Sequence, residues 1–241
     1  MLKLKIKKLI YIFSNSLFFN AFLKGTAVGI EHLKVIRNLD LDHIIDIGAN
    51  KGQFALLCRN LFPNARIDSF EPLKKSADIF SSVFDNDSKT NLYRCAIGNK
   101  EQSMDLHISN KDDSSSLLSI GKAQSQHFSG THEVGIEKVK VKKLENVIDK
   151  NNIGEKTLLK IDVQGFELEV LQGCEAILTN FDYIYCECSF IELYSGQKLA
   201  DDIINFLAQK EFILKGVYNT YYDKKGIAIQ ADFLFYKIDH A

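Results

Sequence analysis

Short apolar runs rich in β-branched residues, each followed by a helix-length segment, are what most constrain this 241-residue chain. Residues 43–47 read HIIDI, 66–70 RIDSF, 157–161 TLLKI and 183–187 YIYCE. Runs of this length suit strands buried on both faces, and the spacers between them suit crossover helices. Parallel neighbours require such crossovers, which are right-handed and stack helices on both sides of the sheet. A further strand is predicted at 91–95. One helix puts Phe54, Leu57, Cys58 and Leu61 on a single face and is closed by Pro63 and Asn64; others are predicted at 73–84, 167–178 and 200–209. Residues 212–217 and 231–236 are joined by a loop with no room for a helix, so they are expected to pair antiparallel at one edge. The fold class is α/β: a mostly parallel, doubly wound sheet with an antiparallel final strand, plus an N-terminal helical extension. Residues 1–42 form the extension and 43–241 the domain. Within the domain, 100–145 interrupts the alternation, with strands at 103–109 and 136–142 around a polar loop. Residues 111–132 are a candidate lid, the alternative being a disordered surface insertion.

With 46% hydrophobic and 25% charged residues the composition is that of a globular chain and excludes extended disorder. Thirty basic residues against 31 acidic give no global pull toward nucleic acid, and none is expected as a partner. The five cysteines, Cys58, Cys95, Cys174, Cys186 and Cys188, are scattered without a CxxC pair. They are expected as buried free thiols in a reducing cytoplasm, with Cys186 and Cys188 assigned to opposite faces of their strand. Residues 1–30 carry five lysines and no acid around a short apolar stretch interrupted by Ser14, Asn15, Ser16 and Asn20. The leading expectation is a helix capping the core. The alternatives are a basic amphipathic helix over residues 1–24 on the inner membrane face, and a signal or anchor, although no small-residue cleavage site precedes Lys24.

In open α/β sheets ligands sit beyond the carboxyl ends of the strands. After the first strand comes Asp46-Ile47-Gly48-Ala49-Asn50-Lys51-Gly52. Gly48 is read as letting backbone approach a ligand, and Gly52 as opening a helix whose free N–H groups can bind one. The spacing lacks the third glycine of a dinucleotide fingerprint, which sets a nicotinamide oxidoreductase far behind, and it is not a Walker loop. Glu71, 23 positions after Gly48 and followed by Pro72, is placed to accept bonds from two ribose hydroxyls. Ala96 and Ile97 suit a slot for a flat adenine, or a simple turn. Asp162, at the mouth of a buried strand, is a candidate to orient a cofactor ammonium, hold a metal or act as a base, the alternative being a helix N-cap. Glu187, one βα unit later, is read as sharing its cleft, so that the pair takes a divalent cation or shares a proton, or else as a solvated strand end. His107, His127 and His132 near the lid carry no individual assignment.

Together, IIDIGANKGQF, SFEP, CAIG, SSSLL, VKKLENVI, LLKIDVQGFELEVLQG and ADFLF resemble, in order over residues 43–237, the FkbM-type S-adenosylmethionine-dependent methyltransferases. The resemblance implies a Rossmann-like class I methyltransferase fold and O-methylation of a sugar or natural-product hydroxyl. It implies that Asp46, Gly48, Ala49, Asn50, Gly52, Gln53 and Phe54 line the methionine side of S-adenosylmethionine, Glu71 and Pro72 the ribose, and Ala96 and Ile97 the adenine. It sets Ser115 and Ser116 near the acceptor. Asp162 and Glu187 are the expected catalytic pair. The family's pattern has an acid where Gln164 stands. The expected acceptor is a small molecule or a surface-glycan sugar, and the expected location cytoplasmic, at the inner membrane face if residues 1–24 dock there. The competing function is a non-catalytic nucleoside-binding partner in a glycan-assembly complex.

Overall fold

The apolar runs become strands, and their order creates one crevice. The computed structural model describes residues 2–238; Met1, residues 239–241 and the side chains of residues 2–5 lie outside the described residues. The N-terminal helices are α1 (Leu2–Ser14), α2 (Ser16–Leu23) and α3 (Leu33–Ile36). Then follow β1 (His43–Ile47), α4 (Gln53–Leu61), β2 (Arg66–Phe70), α5 (Lys74–Val83), β3 (Thr90–Tyr93) and β4 (Ala96–Ile97). The interrupting segment holds β5 (Gln102–Ser109), α6 (Lys122–His127) and β6 (Glu133–Lys142). The chain ends with β7 (Thr157–Ile161), α7 (Glu167–Gly173), β8 (Tyr183–Ser189), α8 (Ala200–Ala208), β9 (Phe212–Tyr222) and β10 (Ala228–Lys237).

Among the described residues, one seven-stranded sheet runs β3-β2-β1-β7-β8-β10-β9 and a smaller one runs β4-β6-β5. All pairings from β3 through β8 are parallel, whereas β10 is antiparallel to both β8 and β9. β1 and β7 are buried at every position, as central strands covered on both faces must be. One core, with Ile44, Leu158, Tyr185 and Leu234 on the sheet, is closed by α4, Phe80 of α5 and the N-terminal residues Ile12, Phe18 and Ile36. The other, with Ile45, Leu159, Ile184 and Phe233, is closed by α7, α8 and the small sheet. Strand order reverses between β1 and β7, and the crevice at that switch point is where such sheets bind ligands.

A buried cluster ties β1 to β2. His43 Nε2 donates to Asp68 Oδ2 at 2.8 Å while its Nδ1 accepts the Gly154 N–H at 3.2 Å, so the partners select the neutral tautomer with its proton on Nε2. Asn91 donates to Asp68 Oδ1 at 2.8 Å and Arg66 Nε pairs with Oδ2 at 2.7 Å. Burial pushes Asp68 up, but these partners outweigh it and hold the carboxyl below its ordinary value.

Several boundaries differ from expectation. The run 91–95 is split: β3 ends at Tyr93, and after Arg94 and Cys95 the chain joins the small sheet as β4, parallel to β6. The helix of 167–178 ends at Gly173 and continues as a tighter 3₁₀ segment, Glu175–Asn180. Gly173 abuts the Gly98 backbone, where a Cβ would stand 2.1 Å from the carbonyl oxygen. Cys186 and Cys188 share a face, because residues two apart on a strand return to the same side; all five cysteines are free and buried. Residues 111–132 include the 3₁₀ segment Asp112–Ser114 and α6.

Candidate active site

The β1–α4 turn owes its shape to two glycines in the left-handed region. Gly48 has φ 82°, and a Cβ there would stand 1.8 Å from the Asp162 carbonyl oxygen. It is therefore the neighbouring chain after β7, rather than a ligand, that demands glycine at 48. Gly52, φ 89°, caps α4 and faces Phe80 and Phe84 rather than the crevice. Between them Asn50, also at positive φ (47°), leaves its Oδ1 buried with no partner among the described residues. An orphaned acceptor costs about 1–3 kcal/mol unless something supplies a donor, and a ligand ammonium or hydroxyl would.

Glu71 follows β2. Its Oε2 accepts the Asn50 N–H at 2.8 Å and its Oε1 the Leu73 N–H at 2.7 Å. Each carboxylate oxygen thus spends one lone pair on backbone and keeps another. Burial is the larger influence and raises Glu71 to about 7, against the two backbone donors and Lys160. This is a prearranged bidentate acceptor for vicinal hydroxyls, and it fits a ribose.

The crevice is a cavity of about 470 Å³. Of the expected residues, Gly48, Ala49, Asn50, Gln53, Phe54, Glu71, Pro72, Ala96, Ile97, Ser115, Ser116, Asp162 and Glu187 all line it. Asp46 and Gly52 do not: Asp46 is fully buried behind Lys160 Nζ, 3.1 Å from its Oδ1. Burial raises Asp46, and Lys160 opposes that rise. For Lys160 itself burial acts downward, but Asp46 and Asp162 (3.6 Å) more than offset it and hold the ammonium above its ordinary value. The ammonium also lies 5.5 Å from the Phe54 ring centroid and 3.3 Å from the Gly48 carbonyl oxygen, joining β7 to the turn.

Asp162 caps no helix, since Phe166 holds that position for α7. The expected cleft with Glu187 exists, and Gln164 bridges it: Nε2 donates to Asp162 Oδ1 and Glu187 Oε2, each at 2.8 Å. Gln164 sits at φ 58°, accepts the Tyr194 hydroxyl on Oε1 at 2.8 Å and accepts Ser116 Oγ on its carbonyl at 2.6 Å. Gln230 donates to the second Glu187 oxygen at 2.7 Å. Burial, then the charges of Asp162, Asp232 and Glu167, push Glu187 well above its ordinary range. The amide stands where a cation shared by the two acids would sit, and among the described residues no group of three His, Cys, Asp or Glu is arranged to hold a metal. The residues present do not fit a shared divalent cation.

Ser116 is committed to structure, since its hydroxyl also accepts the Leu118 N–H at 3.0 Å. Ser115 Oγ accepts the Ser109 N–H at 3.1 Å. The segment carrying them spans the cavity, anchored on one side by Asp112 to Lys51 (3.0 Å) and Lys75 (3.1 Å) and on the other by Ser116 to Gln164.

Lys160, His32, Asn219, Gln230 and Asp232 also line the cavity and were not anticipated. Tyr185 gives its one hydroxyl proton to Asp232 Oδ2 at 2.7 Å, so the His32 Nδ1 contact to the same hydroxyl at 3.1 Å is a donation from the ring. Asp232 Oδ2 lies 3.4 Å from that Nδ1 and accepts Asn219 at 2.7 Å. Burial raises Asp232, but His32 and Asn219 outweigh it and hold the carboxyl low. With Nδ1 engaged as donor, Nε2 is the ring nitrogen left to accept. Lys160 and Asp232 had a signal: a charge within an apolar strand needs a partner. His32, from the extension, had none.

Residues 46–214 match the family model of the Methyltransferase FkbM domain. The chain is 28% identical over 176 residues to the 2-O-methyltransferase NoeI of Sinorhizobium fredii, covering 70% of this chain and 72% of that one. It is 22% identical over 185 residues to the hexuronic acid methyltransferase AglP of Haloferax volcanii, covering 72% and 70%. A crystal structure from Clostridium thermocellum, assigned as an rRNA-methylase, superposes with a TM-score of 0.50 at 12% identity, covering 88% of this chain and 96% of that one, and so shares the fold.

Proposed function

The chain belongs to the FkbM methyltransferase family and is an S-adenosylmethionine-dependent methyltransferase; from that premise we propose that it O-methylates a hydroxyl of a sugar in a surface glycan or a related metabolite. The observation that carries the reading is the division of the cavity. One half ends in the Glu71 acceptor; the other is lined by amides and acids, Gln164, Glu187, Asn219, Gln230 and Asp232. A wall of amides and acids offers donors and acceptors that a polyhydroxyl acceptor can match with its own hydroxyl groups. Two relatives named for a 2-O-methyl group and a hexuronic acid support the same class.

When bound, the cofactor supplies a methyl on a positively charged sulfur, already activated for transfer. The chain's own work is alignment, exclusion of water and removal of one proton. Glu71 grips the ribose, Asn50 Oδ1 meets a donor of the methionine portion, and Ala96 and Ile97 flank the base. Residues 111–132 roof the cavity as a lid that opens for exchange. Asp162, 31% exposed on its side chain, takes the acceptor proton. Glu187, with the Gln164 and Gln230 amides already on its two oxygens, positions the acceptor rather than acting as base. His32 favours a second reading of the base, because Tyr185 and Asp232 hold its Nδ1 side and leave Nε2 as acceptor.

The test is incubation with methyl-labelled cofactor and a glycan fraction from the source cells. Label is expected in carbohydrate. Asp162→Asn is expected to bind cofactor normally and turn over ~10²–10⁴-fold more slowly. Cofactor binding without label transfer to any glycan would overturn the sugar acceptor, and a larger loss in His32→Gln than in Asp162→Asn would move the base to His32.

A further inference from the structure

α1 turns one side to the core and leaves an apolar stripe uncovered. Ile12 is buried and Lys8 pairs with Glu31 at 2.9 Å, fixing the inner side. Ile6, Leu9, Ile10 and Phe13, at the spacing of one helical face, point outward, with Ile10 61% and Phe13 69% exposed. The stripe continues onto α2: Phe13 packs on Phe19 at 5.8 Å between centroids, and Leu23 is 69% exposed. Scattered exposed leucines are ordinary, but a contiguous apolar patch marks a binding surface. The sequence around it carries Lys3, Lys5, Lys7 and Lys8, and residues 1–30 contain no acid.

We propose that the outward face of α1 and α2 docks the protein on an anionic phospholipid bilayer. The apolar stripe enters the headgroup boundary while exposed Lys7 beside it meets the negative surface, a contact worth about fivefold in affinity, and Lys8 stays with Glu31. No helix among the described residues is long and apolar enough to cross a membrane, so this is contact with a surface. A second copy of the chain fits less well. A twofold interface pairs a patch with itself, which would set lysines against lysines with no acid in residues 1–30 to compensate. Lys8, on the inner side of α1, and its partner Glu31, in the 3₁₀ segment Ile30–His32, also line the cavity. Docking therefore holds the cavity wall against the lipid, and on the sugar reading above the acceptor is one presented at a membrane, such as a lipid-linked glycan.

The experiment is co-sedimentation of the full chain with vesicles of phosphatidylcholine alone and of phosphatidylcholine mixed with phosphatidylglycerol. The expected result is binding to the mixed vesicles, weakened by salt and reduced at least ~10-fold in Ile10→Glu/Phe13→Glu. Both positions are exposed, so the double variant is expected to keep the wild-type melting temperature, and a single Phe13→Ser variant gives a milder version of the same loss. Glu71→Ala is expected to bind vesicles like wild type, so a failure of the cofactor assignment does not touch this result. Absence of binding to mixed vesicles, binding unchanged in the double variant, or a concentration-dependent dimer abolished by it without vesicle binding would each overturn the proposal.

Discussion

Burial raises Glu71 to about 7, and the ribose role proposed for it needs the charge. Raised to about 7, it is about nine-tenths ionised at pH 8 and about one-tenth ionised at pH 6. If the ionised form grips the ribose, nucleoside affinity is expected to fall ~10-fold from pH 8 to pH 6, about 1.4 kcal/mol, and to level off above pH 8. Calorimetric titration with 5′-methylthioadenosine, which has no group ionising in that window, isolates the protein's contribution. Stability moves the other way. An acid whose folded value is raised from 4.5 to about 7 is held more tightly by its proton in the folded state. The folded state is therefore favoured below pH 4.5 and loses about 3 kcal/mol as pH rises through 7. Glu71→Gln removes that loss but turns an NH₂ toward one of the two backbone donors, at about 1 kcal/mol. The variant is expected to melt higher than wild type at pH 8 by a few degrees, at ~2–4 °C per kcal/mol, and no higher at pH 5. Its nucleoside affinity is expected to fall at least ~10-fold, with no pH dependence left. Affinity that stays flat between pH 6 and 8 in wild type, or that survives in Glu71→Gln, would refute the reasoning.

Gly48→Ala places a Cβ against the Asp162 carbonyl oxygen; a loss of more than ~3 kcal/mol by urea denaturation is expected, and a wild-type midpoint would contradict the steric account. Asp68→Ala strands His43, Asn91 and Arg66 and is expected to cost about 3–5 kcal/mol. Because Asp68 is held low, its contribution in wild type is present above pH 3.8 and lost as pH falls through its depressed value, so the difference between the two proteins should narrow in acid melts. Gln164→Glu removes the donor shared by Asp162 and Glu187 and adds a third carboxylate; slower turnover near neutral pH and a new stimulation by Mg²⁺ are expected, whereas equal rates with Mg²⁺ and with chelator would speak against the bridging role.

The parallel half of the fold was legible because its strands are buried on both faces, so β1, β2 and β7 announce themselves as apolar runs. β9 and β10 were recognised but drawn short. The Tyr-Asn-Thr-Tyr-Tyr stretch of β9 is only partly buried at the sheet edge, and polar edge residues resemble loop. The break at Arg94 and Cys95 left no mark, since the chain merely changes sheets. Glycine positions at the strand ends were right in place, but the reason at Gly48 was contact between two strand ends that only the register of β1 on β7 brings together. The same holds for the acceptor half of the cavity. Asn219, Gln230 and Asp232 come from the last two strands and His32 from a helix before the first, and no spacing rule connects them. The Asp162–Glu187 cleft was readable as one βα unit, but the amide between them required the positive-φ turn at Gln164, which sequence alone does not display.

The most direct test is a crystal structure of the protein with S-adenosylhomocysteine. The compound is expected across the turn at Gly48–Asn50, with both ribose hydroxyls on Glu71 and the base between Pro72 and Ile97. Finding it elsewhere, or finding Glu71 turned away from its ribose, would contradict the account.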